Sequence, residues 1–590
     1  MYRKAMNVFL IIALLLSFNG SAIAKQPPKN DVPINLSHLD SLNEEVTIDG
    51  TEMLITHIYS EYPDYEWVDA SGEGIACVDD VARAAIVYLT DFEQTKNDAS
   101  LEKAKKLLNF VMHMQADDGE FYNFINEDHS INKDGPTSVK SFDWWAARAM
   151  WALGHGYKVF EKEDPAYAAE LEESFLLGNE ALQNQINDEY GNYETVHGVK
   201  VPKWITGFDA MSNALLGLAE YYSAKEDVLV KDSMLKLGKG LSKYQAGDFD
   251  DYPYSAHLGW NGSPTLWHAW GSSQAFALAK AGNVLDKEEW IQSAKDEADH
   301  LFTHILAAGM IKEMAPTPTR DEQIAYGVNM LVQGFMEIYQ ATNDQTYAQY
   351  AGLAGSWFTG NNDADFAMYD PGTGRGYDGL NGDTGEVNLN SGAESTIEAL
   401  LALQTIKESN QASKYLYAKT IDRHTKTIHE AEDFKTAAGE PEVIEPEEAW
   451  TGDALYSGNL VKLEDGEAIE KEVEVKNGEY LIYAALEKQH LPEKDVYLEA
   501  KVDGKVVGEV LVSDSPDETY LTLSKIVQTT KLKEGKHRIT LTAKGEEPII
   551  VDNIVVQPVK ETAMFSIKKN KTIQLLRDFE KETLNLSKQK

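Results

Sequence analysis

Cys77 is the only cysteine in the 590-residue chain, so no intramolecular disulfide can form. Its expected role is packing at a helix start, not catalysis by a thiol. Positive charge is also scarce. Lys and Arg number 54 against 96 Asp and Glu, for a formal net charge of −42. Phosphate binding requires a basic footprint, so nucleic acid is not an expected partner. The same charge argues against simple electrostatic attraction to an acidic polysaccharide, and the acidity reads as solubility in a salty or alkaline medium. After the first two dozen residues no apolar run is long enough to span a bilayer. There is no P-loop, no G-x-G-x-x-G after a strand, no G-x-S-x-G and no H-E-x-x-H. Nucleotide, serine-hydrolase and zinc-hydrolase chemistries therefore lack their signatures.

The chain does have a beginning that reads as a signal peptide over residues 1–24. Arg3 and Lys4 form a basic start, 8–18 is a short apolar run, and Ser21-Ala22-Ile23-Ala24 supplies small residues for cleavage before Lys25. No cysteine follows the apolar run, so a lipid anchor is not expected, and the chain is expected to be secreted, extracellular and free of the membrane. Its length is too great for one ordinary core, which predicts two domains. A composition of 43% hydrophobic and 10% aromatic residues is that of a globular, aromatic-rich protein.

After a leader over 25–40, six segments recur about sixty residues apart, each opening polar or acidic and then running apolar: 74–89, 141–157, 206–222, 267–282, 322–339 and 390–406. A more charged amphipathic segment precedes each: 43–59, 100–115, 167–186, 228–245, 287–306 and 346–358. Six helical hairpins in a ring would bury the apolar helices and leave a funnel at one end, predicting an all-α (α/α)6 toroid over 41–418. The composition then shifts to short alternating runs such as 480–484, 496–500 and 537–541, separated by Lys476-Asn477-Gly478 and Asp503-Gly504. That pattern predicts an all-β jelly-roll sandwich over 428–560. A charged tail over 561–590, with an amphipathic piece at 572–579, is expected as a docked helix or a frayed end.

The starts of the apolar helices carry Asp79 and Asp80, Asp143, Asp209, Asp321 with Glu322, and Glu394. Each alone is explained by capping and the helix dipole. Together, in one funnel, they would crowd, raising some carboxyl pKa values and leaving others ionised, as acid and base roles require. Asp80 and Asp143 are the first catalytic candidates, followed by Asp79 and Asp209. Nearby aromatics and hydroxyl-binding residues suit sugar rings, whose C–H faces stack on indole. The substrate-binding candidates are Asp118, Tyr122, Trp144, Arg148, Trp204, Trp260, Trp267, His268, Arg375 and Glu394. The polar loop over 361–380 is long enough to be functional. Its Asp363 and Asp365 lack the Gly and Glu offsets of an EF-hand.

Several stretches carry a resemblance: Val78-Asp79-Asp80-Val81-Ala82-Arg83-Ala84, Gln115-Ala116-Asp117-Asp118-Gly119, Trp151-Ala152-Leu153-Gly154 and Asn390-Ser391-Gly392-Ala393-Glu394. Over residues 40–415 the chain resembles the six-hairpin (α/α)6 glycosidase superfamily. The resemblance implies paired carboxylates acting as acid and base. Glu430-Ala431-Glu432-Asp433, Trp450-Thr451-Gly452 and Val551-Asp552-Asn553-Ile554 resemble β-sandwich carbohydrate-binding modules. That resemblance implies a structural calcium held by Glu430, Glu432 and Asp552. The chain departs from it at the binding face, where loop aromatics are few beyond Trp450, Tyr456 and Tyr483, so the module is expected to be a structural partner as readily as a sugar binder. The expectation is a secreted glycoside hydrolase that cleaves a poly- or oligosaccharide with no catalytic cofactor. Two alternatives stand beside it. One is a polysaccharide lyase acting on a uronate, for which Arg83, Arg148, Arg320, Arg375, His257 and His268 supply cations. The other is a non-catalytic glycan-binding protein.

Overall fold

The computed structural model describes residues 32–69, 72–568 and 571–589. The expected signal peptide over 1–24 lies outside these residues, as do residues 25–31 of the leader. Among the described residues, twelve of the fourteen α-helices fall into pairs, the others being Ser37–Leu42 and Thr303–Ala308: α1 Val78–Thr95 and α2 Asp98–His113, α3 Trp144–Glu163 and α4 Pro165–Asn187, α5 Phe208–Ala224 and α6 Val228–Lys243, α7 Gln274–Leu285 and α8 Glu288–Glu297, α9 Ala325–Thr342 and α10 Gln345–Gly355, α11 Ala393–Lys407 and α12 Asn410–Ser413. Around the ring, α1 packs on α3, α3 on α5, α5 on α7, α7 on α9, α9 on α11, and α11 returns to α1. The odd helices therefore form a closed inner ring, and each even helix packs behind the helix it follows. This is an (α/α)6 toroid.

The composition of the inner helices explains their place. Almost every residue of α1 from Val78 to Leu89 is buried, mostly Ala, Val, Ile and Leu, as a helix enclosed on all sides requires. The outer helices are half-exposed and capped by local side chains. Asn97, Asp164, Asp227 and Asp344 each accept a backbone N–H at a helix start. At the tightest crossing α3 and α5 meet through two glycines. A Cβ on Gly217 would lie 2.2 Å from the carbonyl oxygen of Met150, and one on Gly154 would lie 2.2 Å from that of Gly217.

The expected first outer helix over 43–59 is instead a β-hairpin of β1 (Asn43–Ile48) and β2 (Thr51–Thr56), with Ile48 paired to Thr51. Its turn is Asp49-Gly50, both at positive φ (52° and 84°), the two-residue turn that matches strand twist. The hairpins thus run inner helix first and outer second, and the short α12 takes the sixth outer place.

The second domain is a sandwich of two antiparallel sheets. One has Glu442–Ile444, Leu460–Leu463, Ile549–Pro558, Gly478–Lys488 and Tyr520–Leu532 in that order, with Thr427–Glu430 also pairing to the third of these. The other runs Lys435–Ala438, Ala468–Val475, Gly535–Lys544, Tyr497–Val502 and Lys505–Leu511. Their inward residues, among them Ile482, Leu486, Leu498, Leu541 and Val551, form one core.

The expected charged tail is a third sheet. Lys560–Lys568, Lys571–Asp578 and Thr583–Gln589 pair in sequence, and the first also pairs with Lys419–His424. Ala563, Phe565, Ile573 and Leu575 occupy alternate positions of their strands and join the toroid core. Period 2, not 3.6, governs this segment. Arg577, fully buried, donates to Thr303 Oγ1 at 2.5 Å and pairs with Glu561 at 3.1 Å, and Glu561 lies 2.7 Å from His304. No helix among the described residues is long and apolar enough to cross a membrane.

Candidate active site

The first turns of the inner helices carry most of the sequence-predicted carboxylates. On α1, the adjacent Asp79 and Asp80 point different ways. Asp80 is buried, with Oδ1 2.7 Å from Arg83 and Oδ2 accepting the Cys77 thiol at 3.3 Å. Burial pushes its carboxyl up to about 6 against the pull of Arg83, and Glu394 and Asp79 add to the rise. Asp79 is partly open and pairs with Arg148 at 2.8 Å. Arg83 fans across the ring floor, with Glu398 at 2.6 Å and Glu394 at 3.3 Å on successive turns of α11. Glu398 is buried, and its second oxygen accepts Asn329 of α9 at 2.6 Å. This cluster ties α1, α9 and α11 together.

Asp143 is the N-cap of α3, its Oδ1 accepting the Trp144 N–H at 2.9 Å, and it is exposed. Partial desolvation, then the charges of Asp209 and Asp79, hold its carboxyl above the ordinary Asp range. Asp79, Asp143 and Asp209, from three successive inner helices, therefore share one field. Asp209 itself is buried, with Oδ1 accepting the Ala210 N–H at 2.7 Å and Oδ2 lying 2.8 Å from His268 Nε2. His268 stacks on Trp270 at 4.1 Å between ring centroids. Gly259 lies close over this pair, for a Cβ there would meet His268 at 2.8 Å and Asp209 at 2.9 Å.

The remaining wall comes from α9 and α11. The Tyr326 hydroxyl accepts from Arg148, and both Arg148 and Arg83 lie over its ring, at 5.2 and 5.1 Å. The Arg148 guanidinium is also 5.0 Å from the Trp144 ring. Before α9, burial raises Glu322, which lines a cleft of about 550 Å³ with Tyr62, Asp321, Asn388 and Asn390. Asp378 accepts the Gly392 N–H at 2.9 Å and Ser395 Oγ at 2.7 Å, capping α11.

No protein-family model matches the chain, and no curated protein does. Among solved structures, a sugar epimerase from a ruminal bacterium is similar at 13% identity and a TM-score of 0.45, over 63% of this chain and 95% of that one. Cellobiose 2-epimerase from Bacillus thermoamylovorans is similar at 14% identity and a TM-score of 0.45, over 64% and 96%. Carbohydrate-binding module CBM36, in complex with calcium and xylotriose, is similar at 16% identity and a TM-score of 0.18, over 22% of this chain and 98% of that one. These are likenesses of fold.

Several sequence-predicted site residues lie elsewhere. Trp204 is 2% exposed and donates to the Lys236 carbonyl of α6, and Trp267 is 1% exposed. Both are packing residues, because a ring enclosed on both faces leaves none for a sugar. Asp118 pairs with Lys140 beside Gly119, whose Cα lies against the Leu177 carbonyl of the outer helix α4. Tyr122 is half-buried under Lys133. Arg375 stacks 3.6 Å over Tyr65. Asp363 is bonded to Arg320 at 2.6 Å and to Gln323 at 2.7 Å. Tyr326, Glu398 and Asp378 escaped the sequence reading. Glu398 was findable, since it lies four residues after Glu394 and so on the same helix face.

In the sandwich, Glu430, Glu432 and Asp552 converge on one turn. Ser457 N–H donates to Asp552 at 3.0 Å, Ser457 Oγ to Glu430 at 2.9 Å, and Asn459 N–H to Glu432 at 2.9 Å. Glu430 Oε2 and Glu432 Oε2 are buried without a hydrogen-bond partner. Burial, then the charges of Glu430 and Glu432, raise Asp552 to about 8. Hard, under-satisfied oxygens around a mutually repelling set fit calcium, which would neutralise them.

Proposed function

We propose that this chain is a carbohydrate-active enzyme, a secreted glycoside hydrolase in which Asp143 is the general acid. The observation that supports this is the Asp143 carboxyl itself, exposed at the start of α3 and held toward protonation by desolvation and by Asp209 and Asp79. A glycosidic oxygen needs such a proton donor, and a second carboxylate must activate water or stabilise the ring cation. Asp79, partly open and paired to Arg148, is the partner assigned that task. Asp80 and Asp209, buried with both oxygens engaged, position the reacting residues rather than touch substrate. Trp144 and Trp260 offer stacking surfaces. Calcium in the sandwich would be structural.

Elimination from a uronate is the weaker reading, because Arg83 and Arg148 are already matched to carboxylates and cannot neutralise another without breaking those pairs. One observation favours a second reading, sugar epimerisation: His268, held by Asp209, has its Nδ1 without a hydrogen-bond partner and could move a carbon-bound proton. The test is incubation of the purified chain with mannans, glucans, uronans and their oligosaccharides. New reducing ends without an unsaturated product support hydrolysis. Unsaturated ends support elimination. Altered sugar composition without new ends supports epimerisation, and binding without any product supports a non-catalytic role.

A further inference from the structure

We propose that Trp450, carried by the β-sandwich, completes a sugar-stacking subsite with Trp260 at the rim of the toroid funnel, so that the two domains share one substrate cleft. The inference rests on the reading of the funnel as a glycan site. Trp260 and Trp450 are each 40% exposed although they lie against one another, with ring centroids 6.0 Å apart and planes at 34°. Two adjacent, half-open indoles at a domain junction are an apolar surface that folding could have covered and did not. Indole faces left open in this way suit the C–H face of a neutral pyranose.

Both rings are held in place. The Trp260 ring lies flat on Gly262, where a Cβ would fall 2.5 Å from its Cζ2. The Trp260 carbonyl accepts the Tyr244 hydroxyl at 3.0 Å, and its backbone bridges to Gly207, the N-cap of α5. The residue before it, Gly259, covers the Asp209–His268 pair. The stacking surface is thus one residue from the funnel wall.

The loop that bears Trp450 is pinned to the same segment of the toroid. The Asp453 carbonyl accepts from Ser263 and from Thr265 Oγ1, the latter at 3.2 Å, and the Asp453 carboxylate lies 2.9 Å from His197 Nε2. Leu455 N–H donates to the Ala315 carbonyl at 2.7 Å, and Trp450 bridges back to Leu455. Just beyond, Ser457 and Asn459 are held by Asp552, Glu430 and Glu432. A module that merely tethered the enzyme to its substrate would not need its exposed tryptophan locked beside the catalytic domain's own.

The test uses full-length protein carrying Trp260→Ala, Trp450→Ala, both, or Trp450→Phe. Calorimetric titration is run with xylohexaose, cellohexaose, mannohexaose and laminarihexaose and with the matching trisaccharides. For the hexasaccharide that binds, Trp450→Ala should weaken affinity about tenfold, the loss expected of one stacked ring. The double variant should be little worse than either single one, because one subsite is being removed. Trp450→Phe should keep most of the binding, and trisaccharide affinity should change less. Unchanged melting temperatures separate this from a folding defect. Unaltered hexasaccharide binding by Trp450→Ala, with Trp260→Ala weakened, would sink the shared subsite and leave the hydrolase reading standing. A Trp450 effect on binding with no bond cleavage would do the reverse. No binding of any hexasaccharide by folded wild-type protein would overturn the subsite.

Discussion

Asp143→Asn separates chemistry from capping at a single atom. Asp143 Oδ1 accepts the Trp144 N–H at 2.9 Å, and an asparagine oxygen can accept the same bond. Asn is as good an N-cap as Asp, so capping alone predicts a stability change of no more than about 0.5 kcal/mol. The electrostatic sign favours the variant. The folded carboxyl titrates above its unfolded value, so folding favours the protonated form, and stability falls as pH rises past the unfolded pKa. At neutral pH the neutral amide should therefore leave the melting temperature equal or slightly higher. Catalysis should respond very differently. Loss of a proton donor should lower kcat on a natural glycan by about 10²–10⁴-fold. An aryl glycoside whose leaving group needs no proton should be cleaved almost as well as by wild type. The wild-type rate should fall as pH rises through the elevated pKa, and the variant should lose that alkaline limb. A variant that cleaves the glycan within about threefold of wild type would refute the acid role, since proton transfer supplies far more than that. Equal losses on glycan and aryl substrate would move Asp143 from donor to binding residue.

Arg83→Met should cost about 3–5 kcal/mol in denaturant unfolding, because Asp80 and Glu398 would be left buried without their cation; a loss near zero would mean that both carboxyls are already protonated. Gly217→Ala should destabilise by about 2–3 kcal/mol, since its Cβ would lie 2.2 Å from the Met150 carbonyl and α3 and α5 would have to part. Helix propensity alone would stabilise it by about 1 kcal/mol, so a gain on thermal melting contradicts the close crossing. With calcium chelated, stability should fall as pH rises from about 4 toward 8, because Asp552 titrates at about 8 in the fold and near 4 when unfolded. Added calcium should raise the melting temperature most at the alkaline end, and Asp552→Asn should blunt that response. Melting that is indifferent to both calcium and chelator would show that the Glu430–Glu432–Asp552 set does not hold the ion.

The inner ring was legible because its signal is long. Segments such as 74–89 and 322–339 are apolar around most of their circumference, and only a helix enclosed by neighbours reads that way. The sandwich was legible from strict alternation, as at 537–541. Two segments differ from the helical expectation. Residues 43–59 contain enough apolar positions to suggest an amphipathic helix, yet Asp49-Gly50 reverses the chain and fixes the register of β1 on β2. In 571–589, Thr572-Ile573-Gln574-Leu575 alternates in burial, and the charged residues between hid a period of two.

The site was less legible than the fold, because sequence gives residue types and structure gives their directions. Asp79 and Asp80 are adjacent, yet successive residues on a helix diverge by about 100°, so one reaches the funnel and the other turns into the wall against Arg83 and Cys77. No composition argument could rank them. Trp204 and Trp267 share the polar surroundings of Trp144 and Trp260 in sequence, but only the latter two stay partly exposed, each beside a glycine far along the chain or just beyond. Gly271 makes room for the Trp144 ring at 2.4 Å from where a Cβ would sit, and Gly262 does the same for Trp260 at 2.5 Å. In the proposed function these glycines are as much a part of the sugar surface as the indoles. An alanine at either position would have to push a ring toward the cleft or out of it, and would therefore change affinity before it changed fold.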